Sequence, residues 1–261
     1  MKIRYYFLLL LLLSLSVFAA QNNRGAVNEV KYELPKADSR SQIVQHTGYT
    51  LSYSEANEQA SWVAYVLTKE HVETRGIKRT NKFIEDPLVK TGSATNADYA
   101  HSGYDRGHLA PAADMGWSEA TMRESFFFSN MSPQEPSFNR GVWKELEEQV
   151  RAWAIDNGRL YIATGPVLRA GLAKIGSDGV AVPRYYYKVI LDYTEPGLKA
   201  IGFIMPNQGS DLPVRHFAVS VDSVEHFTGI NFFYQLPDDV EKRLEAKVDP
   251  NLWSWKRKKS H

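Results

Sequence analysis

The segment Asp105-Arg106-Gly107-His108 joins a carboxylate, a guanidinium, a residue without a side chain and an imidazole. A histidine exchanges a proton near neutral pH. An arginine grips phosphate through two parallel hydrogen bonds. A glycine lets the backbone come close to a ligand. Together they point to chemistry on a phosphate ester, with His108 as a candidate general base for water and Arg106 as a phosphate contact. A lone histidine would read more simply as a hydrogen-bonded core or surface residue. Arg106 and Gly107 beside it favour the catalytic reading.

A second group lies downstream, in Ser129-Asn130-Met131-Ser132-Pro133-Gln134 and then Asn139, Glu147 and Arg151. Asn139 reads either as a helix cap or as an oxygen ligand to a hard cation such as Mg²⁺. Glu147 and Arg151 stand at i and i+4, the spacing of a helix-surface ion pair. If one helix carried both Asn139 and Glu147, they would lie roughly 12 Å apart along its axis at 1.5 Å per residue. Glu147 would then reach an ion on Asn139 only through a water, which Mg²⁺ tolerates. Arg79, with Arg75 as a neighbouring alternative, is a loop arginine of the kind that steadies a pentavalent transition state.

The elements that must hold these residues follow from pattern. Residues 62–67 are β-branched and aromatic and predict a buried strand. Residues 75–98 are polar and turn-rich and predict a long functional loop. Ser118 caps a short helix over 119–124. Residues 126–128 read as a strand, and 132–138, with Pro133 and Pro136, as a loop. A helix is expected from near Asn139 to Asp156, because Val142, Trp143, Leu146, Val150 and Trp153 form one stripe. Asn157-Gly158 ends it. Further strands are expected over 160–163, 184–191, 199–205 and near 217–221, and a closing helix over 239–247. Strands and helices without regular βαβ alternation predict an α+β domain with a mixed, largely antiparallel sheet and flanking helices.

The bulk numbers bound the alternatives. Lys2 and Arg4 precede a leucine-rich apolar run, and cleavage after Ala19 or Ala20 would complete a signal peptide over residues 1–20. That predicts an exported protein, periplasmic or secreted, without stable membrane insertion after cleavage. Residues 21–44 read as a polar tether, 45–250 as the functional domain and 251–261 as a basic tail ending in Lys256-Arg257-Lys258-Lys259. The absence of cysteine excludes a disulfide scaffold, a thiolate metal site and a thiol nucleophile. The net charge is +1 for the whole chain, and residues 1–20 hold two bases and no acid. Any phosphate-binding surface must therefore be a local patch.

These segments resemble the DNA/RNA non-specific endonuclease family, the ββα-metal nuclease group. The resemblance rests on Tyr104-Asp105-Arg106-Gly107-His108, Leu109 to Asp114, Ser129 to Gln134, and Asn139 with Trp143, Leu146 and Glu147. It continues through Thr164-Gly165-Pro166-Val167, Pro206-Asn207 and Glu225 to Phe233. It implies a ββα-metal (His-Me finger) site with His108 as general base and one Mg²⁺, replaceable by Mn²⁺, held directly by Asn139. It further implies Glu147 holding that ion through a water, Arg106, Arg151 and Arg79 on the phosphate, and Asn130 supporting the site. DNA and RNA would be the substrates, leaving 5′-phosphate and 3′-hydroxyl ends, and a homodimer is compatible with it. Two other classes fit the same residues: a non-catalytic nucleic-acid-binding surface protein and a phosphodiesterase for small diesters.

Overall fold

A computed structural model describes residues 30–38, 41–74 and 76–255. The expected signal peptide, Arg75 and the basic run at 256–259 lie outside the described residues. In chain order the strands are β1 (Gln42–Gln45), β2 (Thr50–Ser54), β3 (Gln59–Thr68), β4 (Asp105–His108), β5 (Met131–Gln134), β6 (Arg159–Pro166), β7 (Lys174–Ile175), β8 (Val180–Ala181), β9 (Tyr185–Asp192), β10 (Lys199–Pro206) and β11 (Ala218–Val219). The helices are α1 (Lys69–Glu73), α2 (Asn96–Tyr99), α3 (Glu119–Glu124), α4 (Pro136–Asn139), α5 (Val142–Asn157), α6 (Val221–Thr228) and α7 (Asp238–Glu245).

A seven-stranded sheet in the order β1-β2-β3-β6-β9-β10-β11 forms the frame, and each neighbouring pair is antiparallel. This is the α+β architecture expected from the pattern. Successive residues of a strand point to opposite faces. Val63, Tyr65 and Leu67 of β3 therefore join one core with Trp143, Leu146, Val150 and Trp153 of α5. Trp62 and Ala64 join a second core with Val221 and Val224 of α6 and Leu244 of α7. Because both faces are covered, the strand reads in sequence as a continuous apolar run.

The apolar stripe of α5 is buried as its spacing requires. Gly158 ends the helix at φ 84°, in the left-handed region that glycine enters without steric cost. Trp143 and Trp153 are fully buried, and truncating either to alanine would cost about 3–5 kcal/mol. Ser118 caps α3 by accepting the Thr121 backbone N–H.

Four local expectations are corrected. Residues 126–128 are not a strand: Phe126 and Phe127 follow α3 in a turn, and Phe128 opens a 3₁₀ turn, Phe128–Asn130. Their ladder bonds go to one loop residue, Ile84. The three phenylalanines are apolar because they are buried in different directions. Residues 132–138 are not a loop. Pro133 sits in β5, where a two-stranded ribbon tolerates a missing N–H, and Pro136 is the first residue of α4, where none is needed. The long helix begins at Val142 rather than near Asn139. Gly141 separates α4 from α5, and a Cβ there would overlap the Ser137 carbonyl oxygen. Near 217–221 only Ala218–Val219 is strand, and α6 follows at once. The packed structure also exceeds the expected domain limits. β1 begins at Gln42, inside the proposed tether, and Trp253 and Trp255 pack on Trp153 of α5 at 4.6 and 5.0 Å.

β4 and β5 pair with each other and not with the large sheet. Side chains fasten the pair to it. The Ser132 hydroxyl donates to Gln59 Oε1 of β3 at 2.6 Å. The Tyr186 hydroxyl of β9 donates to the Pro133 carbonyl at 2.9 Å. The Asn207 amide donates to the Pro133 and Pro183 carbonyls at 3.1 and 2.9 Å and accepts from the Glu135 N–H at 2.8 Å. Asn207→Ala is expected to cost about 2 kcal/mol in urea unfolding, because it strands these backbone groups. An unchanged midpoint would show that the three bonds do not hold β5 in place.

Candidate active site

The four residues of the opening motif are β4 itself. Their alternation places Arg106 and His108 on one face of the ribbon and Asp105 and Gly107 on the other. Gly107 is required locally, because a Cβ there would overlap the buried side chain of Gln134. Immediately after His108, the fully buried Asn130 holds the chain. Its Oδ1 accepts the Ala110 N–H at 2.9 Å, and its Nδ2 donates to the carbonyls of Ala110 and Ser125 at 2.9 and 2.8 Å. Both ends of the amide are thereby spent on backbone. Asn130 is a positioning residue that sets the path beyond His108.

His108 is only 8% exposed. Its ring meets Phe126 edge-on at 4.9 Å and lies 5.8 Å from Phe83. Burial, with the nearby Arg79 charge adding to it, pushes its pKa down to about 3. The imidazole is neutral at pH 7, and its Nε2 is buried without a hydrogen-bond partner. Such an atom costs free energy unless a ligand or water uses it. Arg79 stacks over Phe126 at 4.9 Å, and Arg106 over Phe83 at 4.3 Å. Two aromatic rings thus line up guanidinium groups beside the imidazole. Arg106 is also hydrogen-bonded to Asn96 Oδ1. Lys78 and Arg79 border a cleft of about 280 Å³ that Ala112 and Met122 help to line.

Asn139 is the last residue of α4, not the cap of the long helix. Its Nδ2 donates to Asp105 Oδ2 at 2.9 Å. Arg140 forks onto the same carboxylate at 2.8 and 2.6 Å. Burial raises the Asp105 pKa, but the Arg140 and Asn139 hydrogen bonds outweigh it and hold the group below the usual carboxylate range. With its N–H spent on Asp105, Asn139 keeps Oδ1 as an acceptor. An oriented amide oxygen is a ligand suited to a hard cation. The break at Gly141 puts Asn139 and Glu147 on different helix axes, so the 12 Å separation along one axis does not apply.

Glu147 and Arg151 do not form the exposed ion pair that their spacing suggested. Arg151 instead pairs with Asp114 at 2.8 Å, and its side chain is 11% exposed. Tyr65 donates to the other oxygen of Asp114 at 2.9 Å. Glu147 is half-buried on α5. Burial pushes its pKa up to about 7, against the pull of Lys188, Arg151 and Arg79. Lys188 was not singled out by sequence reasoning. It is fully buried on β9, with its ammonium 5.0 Å from the Trp143 ring and without a hydrogen-bond partner. Burial lowers its pKa to about 8, and the Glu147 and Asp114 charges hold it from falling further. The signal in sequence was faint: a lysine inside the otherwise apolar run 185–191.

The structure therefore brings His108, Arg79, Glu147 and Arg151 within electrostatic reach through shared neighbours, and ties Asn139 to β4 through Asp105. Against this geometry stand the comparisons with known proteins. A family model for DNA/RNA non-specific endonucleases matches residues 27–239. The chain belongs to that family. It is 34% identical over 216 residues to the mitochondrial endonuclease G of Bos taurus, covering 77% of this chain and 71% of that protein. It is 38% identical over 213 residues to nuclease C1 of Cunninghamella echinulata var. echinulata, covering 74% and 83%. A solved complex of EndoG with its inhibitor EndoGI superposes with a TM-score of 0.73 at 35% identity, covering 79% of this chain and 90% of that one. This endonuclease is a hydrolase of phosphodiester bonds, and its family implies a divalent metal.

Two outcomes follow from the titrating groups. The buried imidazole is neutral when folded, whereas the free side chain titrates near 6.5. Its contribution to stability is present above pH 6.5 and is lost as pH falls toward 3. In EDTA, the parent should therefore lose about 2–3 kcal/mol more than His108→Ala between pH 7 and pH 4.5. Parallel urea-unfolding curves would contradict the buried neutral imidazole. Lys188→Met removes the charge that restrains Glu147, so the acid limb of the pH–rate profile should move to higher pH. A limb unmoved by that change would separate Lys188 from Glu147.

Proposed function

We propose that this endonuclease is an exported, Mg²⁺-dependent, sugar-non-specific enzyme that cuts DNA and RNA with His108 as its general base. The observation that carries the reading is the buried, neutral imidazole of His108 beside Arg79 and Arg106. A base must be deprotonated at working pH and must have a free lone pair. The imidazole takes the proton as a water oxygen attacks phosphorus. The P–O3′ bond breaks on the opposite side and O3′ takes a proton from water, leaving a 5′-phosphate and a 3′-hydroxyl. Arg106, Arg79 and Arg151 counter the charge that builds on the phosphorus oxygens.

The donor set fits a hard divalent ion. Asn139 would hold it directly through Oδ1, kept in orientation by Asp105, and Glu147 would hold it through a water. When bound, such an ion supplies positive charge to the phosphate and the departing oxygen. Mg²⁺, with Mn²⁺ as a substitute, suits an all-oxygen site with few protein ligands. Glu147 titrates near 7, so its carboxylate is available at and above neutral pH. Asn130 acts at one remove, through the backbone beyond His108.

The Lys2 and Arg4 start with its apolar run supports export to the periplasm or medium. Among the described residues no helix is long and apolar enough to cross a membrane. A homodimer is compatible with the reading and is measured by light scattering.

The decisive assay is nicking of plasmid DNA and of RNA with Mg²⁺, with Mn²⁺ and with EDTA. Both polymers should be cut with either ion, and EDTA should abolish cleavage. His108→Ala should lower kcat by about 10²–10⁴-fold with little change in binding. Asn139→Ala should raise the Mg²⁺ concentration needed for half-maximal rate. Full activity of His108→Ala, or cutting that persists in EDTA, would sink the mechanism. Ends that a ligase cannot join would refute the stated products.

A further inference from the structure

The second core carries a cluster that the catalytic reading does not use. Asp222 and Glu225 stand one turn apart on α6, and Glu245 is the last residue of α7. One carboxylate oxygen from each lies within 4.8 Å of the others. Glu245 is 4% exposed, and its Oε1 is buried without a hydrogen-bond partner. The charges that act on it come from Glu225, Glu241 and Asp222, all of them acids. Glu225 has a structural duty as well, because one of its oxygens accepts the Phe232 N–H at 2.7 Å. That bond explains its place in the motif Glu225 to Phe233 but leaves the second oxygen unaccounted for.

Carboxylates this close cannot all be ionised in a partly buried site without a counter-charge. Lys242 acts on Glu241, but among the described residues no base acts on Glu245. Oxygen ligands lie about 2.3–2.6 Å from Ca²⁺, so two on one ion stand at most roughly 5 Å apart. The observed spacing falls within that limit. Mg²⁺ needs shorter bonds and a stricter octahedron, which suits this trio less well.

We propose that Asp222, Glu225 and Glu245 form a site for one Ca²⁺ ion that clamps α6 to α7. The site lies on the face of the sheet away from α5, and its role is structural. Ca²⁺ links the two helices. Glu225 stays on the Phe232 N–H through one oxygen and offers the other.

The test compares thermal unfolding and calorimetric Ca²⁺ titration of the Asn139→Ala protein with the same protein carrying Asp222→Asn and Glu245→Gln. The background removes the proposed catalytic ligand. Whether or not Asn139 holds a metal, a difference between the two proteins belongs to the α6–α7 cluster. Glu245→Gln keeps the length of the side chain without its charge, so the variant should fold in EDTA as its parent does. Parent Tm should rise by about 5–10 °C at a hundredfold excess of Ca²⁺ over its Kd. The calorimeter should show one ion, and the double variant should show neither effect. NaCl of matched ionic strength should not shift the parent. An unshifted parent, an equal shift in the double variant, or an equal shift in NaCl would each overturn the site. A full shift with Mg²⁺ alone would overturn the choice of Ca²⁺.

Discussion

The Pro133 carbonyl oxygen, accepting from both Tyr186 and Asn207, is the joint on which the site depends. A two-stranded ribbon of four-residue strands is marginal on its own in water. β4 and β5 make no ladder with the large sheet, so side chains must carry the attachment. Proline supplies an acceptor there and has no N–H that would need one. Through that joint the ribbon's face is set, and with it the direction of His108 and Arg106. The opposite face delivers Asp105 to Asn139, so one short strand orients both the imidazole and the amide oxygen.

The second governing fact is that charge is concentrated where solvent is scarce. Arg151 and Asp114 are paired, Lys188 is buried without a hydrogen bond, and Glu147 is pushed toward neutrality. A buried unpaired ammonium costs stability. It is tolerated here because the acids beside it keep it charged. The chain as a whole is close to neutral, yet Lys78 and Arg79 border one cleft and Arg106 shares a ribbon face with His108. Affinity for a polyanion then rests on a local patch and should fall steeply with salt.

The residues that mark the chemistry were legible because each is tied to its neighbours in sequence. Asp105 to His108 form one strand, so a period of two suffices to pair Arg106 with His108. The stripe of α5 was legible because helix periodicity is local. The apolar run of β3 and the capped helix α3 were readable for the same reason. Phe126 to Phe128 misled, since a run of large apolar residues looks the same whether it is a buried strand or a turn with three separate pockets. Pro133 and Pro136 misled in the opposite direction, because proline breaks helices and central strands but suits a ribbon edge and a helix start.

The sequence by itself determined the family, the antiparallel α+β frame and which residues to weigh as base, amide ligand and phosphate contacts. Tertiary structure alone decided their partners. Arg151 binds Asp114 rather than Glu147, Asn139 ends one helix rather than opening the next, and Lys188 reaches the site from a distant strand. The physical reason is range. Propensity and periodicity act over a few residues, whereas electrostatics and burial depend on which distant segments are packed into the same low-dielectric space.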